Sequence, residues 1–205
     1  MAERRVRVIE NDLVFDGYFK IIRYRLAHTL FAGGEGPEIS REIFERGHAV
    51  AVLPYDPERD EVVLIEQFRP GALGIEADPW LLETVAGIVE AGEDVDDVAR
   101  REAGEEAGLE LQELELVFHY FASPGGSTEK VALFVARVDT SGSGGLFGVA
   151  NEGEDIKVHV IPFDTITAWL GEGRIKVATT IIALQWLLLH RDRLRKAWLK
   201  SQEGA

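Results

Sequence analysis

Glu102, Glu105 and Glu106 stand close together in a 205-residue chain. On an α-helix, residues three and four apart share a face, so Glu102 and Glu106 would point the same way with Glu105 beside them. Like charges at that spacing oppose the helix slightly. The cluster is therefore either a solvated acidic face that tolerates the repulsion or a concentration of carboxylate oxygens that serves a purpose. Hard divalent cations prefer such ligands, and Mg²⁺ typically takes one or two carboxylates together with substrate phosphates. The chemistry open to the cluster is metal-assisted displacement at phosphorus. Arg101, next in sequence, can pair with a neighbouring carboxylate and hold its geometry.

The flanking residues predict the element that would carry these groups. Asp94 or Asp96 can cap a helix that runs to about Ala107, where Gly108 stops it. Trp80 to Val85 reads as extended and Gly87 to Gly92 as a loop. The layout is Gly87, five residues, Glu93, seven residues, then Arg101-Glu102-Ala103-x-Glu105-Glu106-x-Gly108-Leu109. Even seven of these nine residues fixed at their offsets would arise by chance on the order of 10⁻⁷ to 10⁻⁸ per start position. Residues 87–109 resemble the box of the Nudix hydrolase superfamily. The resemblance implies that Glu102 and Glu106 bind divalent metal, that Glu105 supports them, and that the carbonyl of Ala86 adds a ligand. Ala103 is small where a larger aliphatic is also common in the family.

The box points to a reaction class, and its flanks point further. Pro124 lies fifteen positions after Leu109, within Ser123-Pro124-Gly125-Gly126-Ser127. Together with the segments 41–50, 59–69, 79–87, 121–129, 151–160 and 182–187, it resembles the bacterial ADP-ribose pyrophosphatases over most of residues 18–190. That likeness implies roles for other positions. Arg69 would contact the phosphates or terminal ribose, and Tyr18 would stack on adenine. Arg41 and Glu42 would be lent by one subunit to its partner's adenine pocket, and Ser123 and Glu129 would lie near the terminal ribose. Taken alone, Arg41 and Glu42 also read as an exposed strand pair, and Tyr18 as a core residue.

A glycine-rich approach from Ser141 to Gly148 leads to a second acidic stretch, Asn151-Glu152-Gly153-Glu154-Asp155. By itself this is a solvated loop. Such a loop can also bring a carboxylate to metals when substrate is present. The resemblance places the general base on Glu152 and a further metal ligand on Glu154. The expected reaction is Mg²⁺-dependent hydrolysis of ADP-ribose to AMP and ribose 5-phosphate, with two or three Mg²⁺ ions that Mn²⁺ could replace. Another nucleoside diphosphate sugar such as GDP-mannose, or a non-catalytic nucleotide-binding module, is the alternative.

Composition bounds the rest. Acidic residues outnumber basic ones 36 to 22, a formal charge of −14, which disfavours nucleic-acid binding. The absence of cysteine excludes disulfides, thiolate metal sites and cysteine nucleophiles. The apolar stretch Ile181–Leu189 is too short for a membrane span and reads as a buried helix. The expected location is the cytoplasm.

Strand-like alternation over residues 6–31 and 39–54, a buried strand at Val62–Ile65, strands near Leu114–Phe121, Val131–Val138 and Val158–Ile161, and helices near Phe163–Leu170 and Val177–Trp198 complete the pattern. It predicts an α+β fold: the Nudix α/β/α sandwich with a mixed sheet, plus a small N-terminal antiparallel β lobe. The boundary would fall between residues 1–45 and 46–205. The lobe is too small for its own core, and with the family's swapped arrangement it implies a homodimer with shared active sites.

Overall fold

The computed structural model describes residues 3–149 and 153–200. Helix α1 spans Val95–Ala107. The Asp94 carboxylate accepts the N–H of Asp96 at 2.9 Å, and Asp96 and Asp97 meet the positive end of the helix dipole. Gly108 ends the helix in the left-handed region at φ 64°, with its N–H on the carbonyl of Gly104 and that of Leu109 on Ala103. A Cβ at Gly108 would stand 2.4 Å from the Phe147 ring. Gly108→Ala therefore combines backbone strain with a clash. We expect it to lower stability by about 1–3 kcal/mol, read as a drop of roughly 2–12 °C in melting temperature; an unchanged midpoint would contradict this packing.

Two units divide the chain: Met1–His48 with Phe121–Lys130, and Ala49–Tyr120 with Val131–Ala205. In the first, β1 (Val6–Asp16), β2 (Lys20–His28) and β3 (Ile39–Glu45) form an antiparallel sheet in that order. The segment Phe121–Lys130 joins this unit through backbone bonds from Phe44 N–H to Gly126 O (2.8 Å) and from Thr128 N–H to Phe44 O (3.2 Å).

The second unit is built on an eight-stranded mixed sheet. Its strands are β4 (His48–Asp56), β5 (Glu61–Phe68), β6 (Trp80–Glu83), β7 (Val85–Val89), β8 (Leu114–Phe121), β9 (Lys130–Arg137), β10 (Gly145–Phe147) and β11 (Ile156–Pro162). The order is β10-β11-β5-β4-β9-β8, with β4 and β9 parallel. Alternation sorts side chains onto two faces. Val50, Val52, Val63, Ile65, Ala132 and Phe134 pack with α1. Ala51, Leu53, Val62, Leu64, Leu133 and Val135 pack with α2 (Phe163–Gly171) and α3 (Ala178–Lys200) on the other face. A sheet between helix layers, as the alternation predicts, is the result.

Three local expectations differ. The block 39–54 is two strands, because Gly47 at φ 81° breaks it. The stretch Gly87–Gly92 begins as strand, since Val85 and Val89 continue the core under α1. The Gly/Ser-rich segment carries β10, whose Phe147 packs into the same cluster. Among the described residues no helix is long and apolar enough to cross a membrane.

Candidate active site

A split in the sheet creates the site. Strands β4 and β5 pair at Tyr55↔Val62 and Asp56↔Glu61, beside the turn that joins them. Beyond, β6 adds to β5 and β7 adds to β4. The step from β6 to β7 is fixed by Thr84, whose N–H donates to Thr180 Oγ1 at 3.1 Å; both residues are buried. The next residues, Ala86 and Gly87, form the backbone against which α1 presses its glutamates.

The fit there is close. Ala86 N–H donates to Glu106 Oε2 at 3.0 Å. A Cβ on Gly87 would lie 2.1 Å from Glu102 Oε1, so glycine makes room for that carboxylate. Glu106 is only 3% exposed. Burial pushes its carboxyl up to about 8; Ala86 N–H and Arg69 oppose the rise, and the charges of Glu102 and Glu154 add to it. Glu102 is pushed up to about 6, again by burial first, although Arg101 sits 2.8 Å away; Glu105 and Glu154 reinforce the shift. Arg101 also reaches Glu105 at 3.3 Å and Glu93 at 3.8 Å. It ties the outer rim of the cluster together while Glu106 lies beneath.

Arg69 faces the same region. Its Nε and Nη2 donate to Glu83 Oε1 and Oε2 at 2.8 and 3.0 Å, the bidentate geometry that fixes a guanidinium plane. Burial would lower its pKa, but the Glu83 bonds and the charges of Glu83, Glu106 and Glu154 outweigh it and hold the group protonated. Glu154 turns its carboxylate to the Val149 N–H at 3.0 Å within its own loop. Glu102, Glu106 and Glu154 thus crowd negative charge in a poorly solvated place, which a divalent cation would relieve. Among the described residues no three Asp, Glu or His side chains form a ready metal-binding group. Glu102 and Glu106 could supply two oxygens, and this fits Mg²⁺, which keeps water and phosphate oxygens as its other ligands.

The second unit therefore brings together Ala86, Glu102, Glu105, Glu106, Arg101 and Arg69, with Glu154 close enough to raise the Glu102 and Glu106 carboxyls further. Glu152 lies outside the described residues. The other sequence-derived positions are in the first unit. Tyr18 is 86% exposed and stacks edge-on against Phe19, so it is not a core residue of the chain. Arg41 and Glu42 are exposed on β3, opposite Tyr24 and Arg23, and Arg23 pairs with Glu42 at 2.9 Å. Ser123 opens the turn closed by Gly126 and Ser127 N–H groups. Glu129 is held by Arg46 at 3.3 Å. Sequence reading missed Glu83, Thr84 and Thr180. Glu83 lies in the segment 79–87 already singled out, but its partner is fourteen residues away across the β5–β6 pairing.

The NUDIX domain family model matches residues 45–179. ADP-ribose pyrophosphatase of Escherichia coli (strain K12) is 49% identical over 193 residues, covering 94% of this chain and 92% of that protein. ADP-ribose pyrophosphatase of Haemophilus influenzae is 39% identical over 203 residues, covering 98% and 94%. GDP-mannose pyrophosphatase of Cronobacter sakazakii is 35% identical over 193 residues, covering 90% and 95%. A crystal structure of an ADP compounds hydrolase superposes with a TM-score of 0.67 at 21% identity, covering 98% of this chain and 97% of that one.

Proposed function

Since the chain belongs to the NUDIX domain family, we propose that it is a Mg²⁺-dependent hydrolase of ADP-ribose, releasing AMP and ribose 5-phosphate. One observation carries the reaction class: the box glutamates sit together against the β7 backbone, Glu106 buried and within the field of Arg69, and Glu102 half-buried in the room that Gly87 leaves. The relatives at 49% and 39% identity support the substrate.

Glu102, Glu106, the Ala86 carbonyl and Glu154 would hold the metal, two or three ions in all, with Mn²⁺ able to substitute. When bound, Mg²⁺ neutralises diphosphate charge and makes a bound water more acidic. The chain's own residues do the rest. Arg69, its plane set by Glu83, presents a cation to the phosphates or the terminal ribose. Arg101 keeps Glu102 and Glu105 oriented. Glu152 takes the proton of the attacking water, and Glu154 leaves the Val149 N–H when substrate arrives. Tyr18 stacks on adenine, Arg41 and Glu42 reach a partner subunit's adenine, and Ser123 and Glu129 meet the terminal ribose.

The partner would be a second copy. Every residue of β1 is exposed in the single chain, including Val6 (66%), Leu13 (52%) and Phe15 (59%), and a sheet of three strands gains stability by covering such a surface. Light scattering at micromolar concentration should give twice the chain mass; a fully active monomer would exclude shared sites. We take the enzyme to act in the cytoplasm on this small molecule, not on nucleic acid or membranes.

Metal binding has a pH signature. Folding raises Glu106 from 4.5 to about 8 and Glu102 to about 6, so both hold protons more tightly folded than unfolded. The stability this gives is complete below about pH 4.5 and lost as pH rises through about 8. Metal-free protein should therefore lose thermal stability between about pH 5.5 and about pH 8.5 more steeply than a Glu106→Gln variant. Added Mg²⁺ should raise the wild-type midpoint more at the higher pH, where the ligands are ionised. Equal slopes in scanning fluorimetry would contradict the assignment.

Substrate choice is tested by kcat/KM on ADP-ribose and GDP-mannose in parallel. ADP-ribose should be preferred at least about tenfold, a difference of roughly 1.4 kcal/mol. A preference for GDP-mannose would keep the metal glutamates and discard the roles of Tyr18, Arg41 and Arg69.

A further inference from the structure

Gln67 is a buried polar residue with unfinished bonding. It lies on β5, opposite Leu81 of β6. It is 7% exposed, and its Nε2 has no hydrogen-bond partner among the described residues. Buried donors are nearly always bonded, and an orphan is a reason to ask what arrives to meet it.

Strand alternation locates the side chain. Val63 and Ile65 belong to the core cluster of the α1 face, so Gln67, two residues further, is on that face too. Arg69 follows by the same step, in extended backbone at φ −119° and ψ 108°. Glu83 stands opposite Ile65 across the β5–β6 pairing, and its bidentate bond with Arg69 confirms that these groups share the face. Gln67 thus sits between the apolar core and the arginine of the site.

The nearby carboxylates are engaged elsewhere. Both oxygens of Glu83 accept from Arg69, and Glu106 Oε2 accepts from Ala86 N–H. Neither accepts from Gln67 Nε2, which leaves that donor for an acceptor brought in by a ligand. Nε2 carries two N–H groups and no charge, beside a guanidinium that attracts anions. The chemistry that suits both is an anionic, non-bridging oxygen of a diphosphate.

We propose that Gln67 is a substrate-binding residue whose Nε2 donates to a diphosphate oxygen of the bound nucleotide, alongside Arg69. This rests on the proposed function, but it concerns the diphosphate alone and not the groups attached to it. The buried donor is left unbonded in the free protein and is satisfied on binding, so it favours the bound state.

Gln67→Met keeps the volume and removes the donor. Two readouts should move in opposite senses. In the free protein the melting temperature should stay level or rise by about 2–4 °C, because a buried orphan donor is gone. With Mg²⁺ present, the Kd of α,β-methylene ADP-ribose should rise about 10- to 100-fold, the range for a lost hydrogen bond to a charged group. Methylenediphosphonate, which carries only the diphosphate element, should lose affinity by a similar factor. Gln67→Glu, with an acceptor in place of the donor, should not restore binding. A fall in melting temperature with unchanged Kd values would make Gln67 structural and overturn the proposal. So would a loss confined to the ADP-ribose analogue, which would place the contact on the nucleoside or ribose. If wild-type protein hydrolyses GDP-mannose and ignores ADP-ribose, the substrate reading fails, while the methylenediphosphonate comparison still decides Gln67.

Discussion

Glu106→Gln should leave a folded protein that turns over ADP-ribose at least about 10³-fold more slowly, in kcat rather than KM. The substitution keeps the side-chain volume and an acceptor for the Ala86 N–H, the bond that ties α1 to β7. It removes the charge. In a site where Glu106 is 3% exposed and close to Glu102, that charge is what would hold a divalent cation under the proposed function; solvent cannot replace it. The same burial makes the carboxylate unfavourable in metal-free protein, so the variant should melt no lower than wild type at about pH 8. Activity and stability are then expected to part company. A variant with wild-type turnover would remove Glu106 from the metal site. A variant that is inactive because it melts far lower would assign Glu106 to the fold.

Gly87→Ala tests the same site from the opposite wall. The added Cβ would meet Glu102 Oε1, Cδ and Cγ at 2.1, 2.2 and 2.4 Å. These atoms are the end of a flexible side chain, and Gly87 is not among the residues with positive φ, so the backbone accepts alanine. The relief available is for Glu102 to swing away from β7. We expect the fold to persist and kcat/KM to fall about 10²-fold or more, with a higher Mg²⁺ concentration needed for half-maximal rate. Glu102→Gln should show a comparable loss, and the double variant little more than either alone, because both changes remove one ligand from one site. Full additivity in that cycle would mean that Gly87 acts through something other than Glu102.

How much of this was legible in the sequence depends on how local each feature is. Helix α1 was readable end to end, because its cap Asp94, its stop Gly108 and its three-and-four spacing all lie within one short segment. The sandwich followed from alternation, since Val50/Val52 and Ala51/Leu53 carry their layer in their parity. What escaped depends on pairing across distance. Nothing near Arg69 announces Glu83, because their bond needs the β5–β6 register. Thr180 reaches Thr84 from a helix ninety-six residues away. The segment Phe121–Lys130 reads as a turn, but its attachment to Phe44 is a tertiary bond between backbones. Gln67 looks like an ordinary polar interruption of a strand; only its missing partner marks it.

The most direct test is product analysis of purified protein with ADP-ribose and Mg²⁺, with and without excess EDTA. The account predicts equimolar AMP and ribose 5-phosphate in the presence of Mg²⁺ and none once the metal is chelated. No release from ADP-ribose, or release at the same rate in EDTA, would contradict it.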